Sequence, residues 1–240
     1  MDIILIPGLW LNGSCWDAVT PTLEQAGHQV SALTLPGMDS NDTDRRGITL
    51  RDHVEAVIVA IDNADEPVLL VGHSAGSGIA HAAVDARPDR IARAVYIGGF
   101  PSIDGEPLLE GFPAKDGEVT MPDWREAGEE ANISDFDEAA LARLYADAIP
   151  VPERVLTDPV TLHDKRRYAV PVTAVCPEYT AADLRGWVEA GEGPVRELER
   201  IHDVSYVDLP GGHWPQLTQP DRLASVLLDA AEKADASGRS

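Results

Sequence analysis

Val68-Leu69-Leu70-Val71-Gly72-His73-Ser74-Ala75-Gly76 decides the fold. Its first four residues are apolar and two are β-branched, the signature of a strand buried on both faces, as in a parallel sheet covered by helices. The alanine-rich stretch 74–87 reads as a helix. Between strand and helix a serine stands on a sharp turn. Glycines two places to either side of it lack the Cβ atoms that would collide as the two elements approach. The turn leaves the Ser74 hydroxyl at a helix N-terminus, where developing negative charge is favoured. The plainer alternative is an ordinary β-to-α turn with a serine cap.

The same alternation extends outward in both directions. Upstream, the spacing predicts a strand at 3–6 and a helix over 16–26, with Ser14 and Asp17 as a variant capping box. A strand at 30–33 and a helix after Thr49 follow. Thr49 and Asp52 cap that helix, and Val54, Val57, Ile58 and Ile61 form its apolar face. Downstream, a strand is expected at 94–97, after which the rhythm stops. Residues 101–170 carry Pro and Gly punctuation and 7 Lys and Arg against 16 Asp and Glu. They contain one clear helix after Ser134, whose stripe is Phe136, Ala140, Leu141, Leu144, Tyr145 and Ala148. Such a segment is either a lid over a site or a surface insertion, and we favour the lid. Strands at 172–176 and 204–209, with helices near 182–190 and after Pro220, complete the chain. The fold class expected is therefore α/β, a mostly parallel sheet with helices on both faces and an inserted helical lid. The core comprises 1–100 and 171–233, the lid 101–170, and a disordered tail 234–240.

The 240 residues include 19 Lys and Arg against 41 Asp and Glu, a formal charge of −22, and 44% are hydrophobic. That apolar fraction excludes a disordered chain. The negative charge repels phosphate backbones and anionic lipid, so neither nucleic acid nor a membrane surface is expected as a partner. Cys15 and Cys176 have no metal-type spacing and suggest no disulfide framework, which points to a reducing compartment. The N-terminus starts with Asp2 and is broken by Pro7 and Gly8, so it reads as a strand and not as a signal segment. No apolar stretch approaches the roughly 20 residues of a membrane span. A cytoplasmic protein is expected. Without a metal cluster, a phosphate-binding loop or a dinucleotide fingerprint, no cofactor or metal is expected either.

A serine hydroxyl needs a base before it can act as a nucleophile. Of seven histidines, His213 is the best placed, in the glycine-rich loop Leu209-Pro210-Gly211-Gly212-His213-Trp214-Pro215 beyond the last strand. Loops at the strand C-termini of a parallel sheet gather on one edge, so this loop can face Ser74. His28, His53, His81, His163 and His202 read as structural. His73 is adjacent to the serine, is expected to point away from it, and reads as a packing residue.

The elbow Gly72 to Gly76, the segment Ile6-Pro7-Gly8-Leu9-Trp10 with Ser14-Cys15-Trp16, and Gly212-His213 together resemble the α/β-hydrolase superfamily. Within it they are most similar to the small-lid branch that includes plant methylesterases and hydroxynitrile lyases. The resemblance covers residues 1 to about 230, with the lid matching only in position. It implies an oxyanion hole formed by the backbone N–H groups of Leu9 and Ala75, each worth roughly 3 kcal/mol of transition-state stabilisation. It also implies an acid just after the strand 172–176, but the place where relatives carry Asp is here Tyr179. Glu178 is one residue off and a methylene longer, and it keeps the chain order expected of this fold, Ser74, acid, His213. Asp104, beyond the preceding strand, is the other main candidate; Asp183, or no acid at all, completes the choices.

What the resemblance implies first is a serine hydrolase acting on a small ester, thioester or lactone, with Ser74, His213 and Glu178 as catalytic residues. Lyases of the branch carry a Lys after the catalytic His and a Thr in the oxyanion loop, positions held here by Trp214 and Gly8. A non-hydrolytic enzyme or a small-molecule binding protein on the same fold is the remaining alternative. Trp10, Trp124 and Trp214 fall in three segments that this fold brings around one pocket. They are the expected substrate-binding residues, for an apolar or aromatic group.

Overall fold

A computed structural model describes residues 1–237. Six strands form one wholly parallel sheet. The first four are β1 (Asp2–Ile6), β2 (Gln29–Ala32), β3 (Val68–His73) and β4 (Ile91–Ile97). Residues 101–170 contribute a separate antiparallel pair, β5 (Glu118–Val119) with β6 (Val151–Pro152), before β7 (Val172–Cys176) and β8 (Val204–Asp208) complete the main sheet. The order across the sheet is β2-β1-β3-β4-β7-β8. From β1 the chain moves outward to β2 and then returns to the other side of β1 as β3. This reversal opens a crevice at the C-terminal ends of β1 and β3, the place where open α/β sheets bind ligands. The loop carrying Leu9 leaves β1 there, and Ser74 leaves β3 there.

Every residue of β3 is buried. The main helices pack in two groups, α2 (Leu50–Asn63) on α3 (Ala75–Ala86) and α1 (Thr20–Gln25) on α8 (Pro220–Ser237), so both faces of the sheet are covered. Between them in sequence lie α4 (Glu138–Asp147), α5 (Glu153–Thr157), α6 (Ala181–Glu189) and α7 (Pro215–Thr218). α2 starts where its capping box places it: the Thr49 hydroxyl accepts from Asp52 N–H, and the Asp52 carboxylate accepts from Thr49 N–H at 2.8 Å.

Three local expectations are corrected. Residues 13–16 take a 3₁₀ turn capped by Asn12, whose side-chain oxygen binds both the Ser14 amide and its hydroxyl. Ser14 is therefore engaged locally, and α1 begins only at Thr20, with Pro21 in its first turn. The helix expected after Ser134 starts at Glu138, because Asp137 accepts from Ala140 N–H at 2.7 Å and caps it. The final helix continues through Ser237, so the tail expected to be disordered from residue 234 is helical that far, and 238–240 lie outside the described residues. No described helix is long and apolar enough to cross a membrane.

A buried ionic cluster anchors the return of residues 101–170 to the core. Asp85 on α3 accepts the amides of His163 and Asp164, both at 2.8 Å, and the Arg167 guanidinium at 3.0 Å. Arg167 also binds Glu197 through Nε and Nη2 at 2.9 and 2.7 Å. Burial alone would raise the Glu197 carboxyl, but the neighbouring His81 at 3.7 Å, the hydrogen-bonded Arg167 guanidinium and Tyr168 outweigh it and hold the group at about 2. Its ordinary value is 4.5, so the stability it confers is complete above that pH and is lost as pH falls from there towards 2. The displacement corresponds to roughly 3 kcal/mol, similar to the cost of breaking a buried ion pair. Urea denaturation of Glu197→Gln is therefore expected to show a loss of about that size at pH 6 and a much smaller one at pH 3. An equal loss at both pH values would mean that the carboxylate charge is not what stabilises this cluster.

Candidate active site

The backbone of Ser74 adopts φ 54° and ψ −128°, a left-handed conformation rare outside glycine. It is held there from several directions. Ser74 N–H donates to Ile97 O at 2.8 Å, Ser77 N–H donates to Ser74 O at 2.9 Å, and the Ser77 hydroxyl donates to Gly72 O at 2.9 Å. The two elbow glycines are required by their surroundings. A Cβ on Gly72 would collide with the Gly76 carbonyl, and one on Gly76 would lie 2.5 Å from Pro7 O.

His213 reaches Ser74 from the loop after β8, its Nε2 standing 2.8 Å from Ser74 Oγ. Its other ring nitrogen, Nδ1, is hydrogen-bonded to Glu178 Oε1. The carboxylate fixes Nδ1 as the protonated nitrogen, which leaves the Nε2 lone pair to accept the serine proton. Glu178 arrives from the loop after β7, which is tied down by Gly211 N–H to Pro177 O at 3.2 Å and Ala181 N–H to Asp208 Oδ1 at 2.6 Å. The two rival carboxylates have other partners. Asp104 accepts from Leu162 N–H at 2.8 Å, and Asp183 caps α6 through Thr180, hydrogen bonds that hold its carboxyl below the usual range. Tyr179, at the position where an Asp was sought, packs its ring between Phe100 and Trp187.

Ala75 is the first residue of α3, so its N–H has no acceptor within the helix. The Leu9 loop lies directly over the elbow, since a Cβ on Gly8 would sit 3.0 Å from Ser74 Cβ. That loop is strained at Trp10, φ 63°, and is held by Trp10 Nε1–H to Val119 O at 3.1 Å and by Ile149 N–H to Trp10 O at 2.9 Å. Trp10, Trp124 and Trp214 form a continuous edge-to-face chain, with centroids 5.7 and 5.5 Å apart. All three are buried, and they join the Leu9 loop, residues 101–170 and the His213 loop. The Trp214 ring also stands 4.9 Å from that of His213.

Sequence reasoning missed several contributors. Gly98, with φ 57°, leaves the space in which the acid and base meet: a Cβ there would lie 3.3 Å from Glu178 Oε2 and 3.4 Å from His213 Nδ1. Asn132 O accepts His213 N–H at 2.7 Å, and Asp135 lies against Gly211 and Gly212 while accepting from the Thr218 hydroxyl at 2.7 Å. The pair of glycines before His213 was the available signal, because side chains there would exclude both Asn132 and Asp135. His73, expected to point away from the serine and to pack, is fully buried, and it also has a contact with the base that the sequence did not show. Its ring lies 5.0 Å from that of His213, and its Nε2 is 2.7 Å from the His213 carbonyl oxygen. Among the described residues no group of three or more His, Cys, Asp or Glu is arranged to hold a metal ion.

Residues 3–226 match the alpha/beta hydrolase family. The chain is 27% identical to Methylesterase 7 of Arabidopsis thaliana, over 96% of each protein. It is also 27% identical to the Pyrethroid hydrolase of Sphingobium wenxiniae, over 96% of this chain and 88% of that one. Among solved structures it resembles an extracellular alpha/beta-hydrolase of a Paenibacillus species, described as sharing structural and functional homology with tobacco Salicylic Acid Binding Protein 2. The TM-score is 0.77 at 21% identity, covering 96% of this chain and 98% of the other.

Proposed function

Because the chain belongs to the alpha/beta hydrolase family, we propose that it is a serine carboxylic-ester hydrolase acting on a small, largely apolar ester, thioester or lactone through an acyl-enzyme on Ser74. The observation that carries this reading is the line Ser74 Oγ, His213 Nε2, His213 Nδ1, Glu178 Oε1, hydrogen-bonded throughout. In the acylation step Ser74 Oγ attacks the carbonyl carbon as its proton passes to His213 Nε2. Glu178 stabilises the imidazolium, and the N–H groups of Leu9 and Ala75 receive the developing oxyanion. His213 then returns the proton to the leaving oxygen or sulfur, and water repeats the sequence to release the acid. Residues 101–170 act as the lid. No cofactor or metal takes part in these steps.

Support comes also from the names of the relatives, a methylesterase and a pyrethroid hydrolase. A lyase of this branch would need a threonine where Gly8 stands, and here even a Cβ would lie 2.7 Å from His73 Nδ1. The two free, buried cysteines support a cytoplasmic placement. A fluorophosphonate probe tests the nucleophile: intact-mass analysis is expected to show one adduct on the folded protein and none on Ser74→Ala. Absence of the adduct, or equal labelling of the variant, removes the hydrolase reading.

The Trp10, Trp124 and Trp214 chain is a buried apolar cluster that meets His213 through Trp214, and the acidic lid repels polyanions. Aryl and short aliphatic p-nitrophenyl esters are accordingly expected to turn over faster at low salt than esters bearing phosphate or several carboxylates. Preference for the anionic set would show that the pocket has been assigned the wrong polarity.

A further inference from the structure

We infer that His73 is a positioning residue, which holds the His213 peptide through its Nε2–H and so sets the distance between base and nucleophile. The inference rests on the serine-hydrolase reading and concerns how that site keeps its geometry. A carbonyl oxygen can only accept, so the 2.7 Å contact with His213 O requires the hydrogen on His73 Nε2. Nδ1 is then a lone pair, and the buried Gln216 donates to it from 3.2 Å. The ring is fully buried, so water cannot substitute for either bond. Gly8 leaves it room, since any side chain at that position would strike Nδ1.

His73 is covalently the neighbour of Ser74. One peptide bond and one hydrogen bond therefore connect the backbone of the nucleophile to the backbone of its base. On the opposite side of the same residue, Asn132 O holds His213 N–H. Burial, and next the proximity of His213, hold His73 down at about 3, so it stays neutral when His213 takes the serine proton. A charged neighbour at that moment would repel the imidazolium.

The test combines spectroscopy and kinetics. In ¹⁵N-labelled wild type, long-range ¹H–¹⁵N correlations should show His73 as the Nε2–H tautomer; the Nδ1–H tautomer would overturn the inference. His73→Leu keeps much of the bulk but no donor. It is expected to lower kcat about 10²-fold with KM changed less than about threefold, the size of effect that misplacing a catalytic group produces. His73→Gln, which restores an N–H, should recover about tenfold of that loss, a rescue that a purely packing role would not show. A kcat for folded His73→Leu within about threefold of wild type would overturn the proposal. Should His73→Leu fail to fold by circular dichroism, Gln216→Leu replaces it: an intermediate loss of kcat is expected, and an unchanged kcat would overturn the role. The two readings fail separately. No fluorophosphonate adduct on wild type refutes the hydrolase, whereas a labelled wild type with equally fast labelling of His73→Leu refutes only the part given to His73.

Discussion

Ser74→Ala is expected to lower kcat by about 10⁶-fold while leaving KM and the fold nearly unchanged. Alanine retains the Cβ and meets the same backbone strain at φ 54°, so the elbow itself is preserved. What disappears is the hydroxyl oxygen 2.8 Å from His213 Nε2, the atom proposed to form the acyl-enzyme. A residual rate of about 10³-fold over water should remain, because the N–H groups of Leu9 and Ala75, the proposed oxyanion donors, would still polarise a bound carbonyl. Steady-state kinetics on an aryl ester, with circular dichroism as the control for folding, make the comparison. A variant within tenfold of wild type would take Ser74 out of the chemistry and favour a non-hydrolytic enzyme on this fold.

The second large effect is expected at Glu178, where Glu178→Gln should lower kcat about 10⁴-fold. The amide matches the carboxylate in shape, but its NH₂ donates to His213 Nδ1 and so favours the tautomer with hydrogen on Nε2, facing the serine with no lone pair. Asp104→Asn should change kcat less than about threefold, since that carboxylate serves Leu162 N–H. Should Asp104→Asn be the variant that loses activity, the acid would belong to the strand before. If neither variant changes the rate, neither residue is the acid.

The sheet was legible because each of its central strands is a short apolar run set between helical patterns, and a period of that kind survives without knowledge of tertiary contacts. The elbow was legible for a similar reason: the glycines, the serine and the flanking strand are neighbours in sequence. By contrast, β5 and β6 are two residues each, too short to carry a period, and they exist only because chain segments more than thirty residues apart meet. The start of α1 was misplaced because Asn12, not Ser14, provides the local cap. Glu178 could be proposed as a displaced acid, since a longer side chain can reach from one residue back, but nothing local distinguished it from Asp104. Gly98 was passed over, and His73 was read only as packing, because what they do depends on partners in distant loops. A glycine shows its necessity only once Glu178 and His213 converge beside it, and a buried histidine shows its hydrogen-bond partner only once the sheet edge is assembled.

The bond from Asn132 O to His213 N–H gives residues 101–170 a part in holding the proposed base, beyond the lid role proposed for them. Any movement that lifts Asn132 away from the sheet edge takes this bond with it and removes one of the two hydrogen bonds described on the His213 backbone. Access and readiness would thus be interlocked in the proposed enzyme, like a press that runs only with its guard down. With residues 101–170 as the proposed lid, a substrate too large for the segment to seat over it would lie beside a less firmly held His213. Size would then be discriminated in the rate of chemistry as well as in binding.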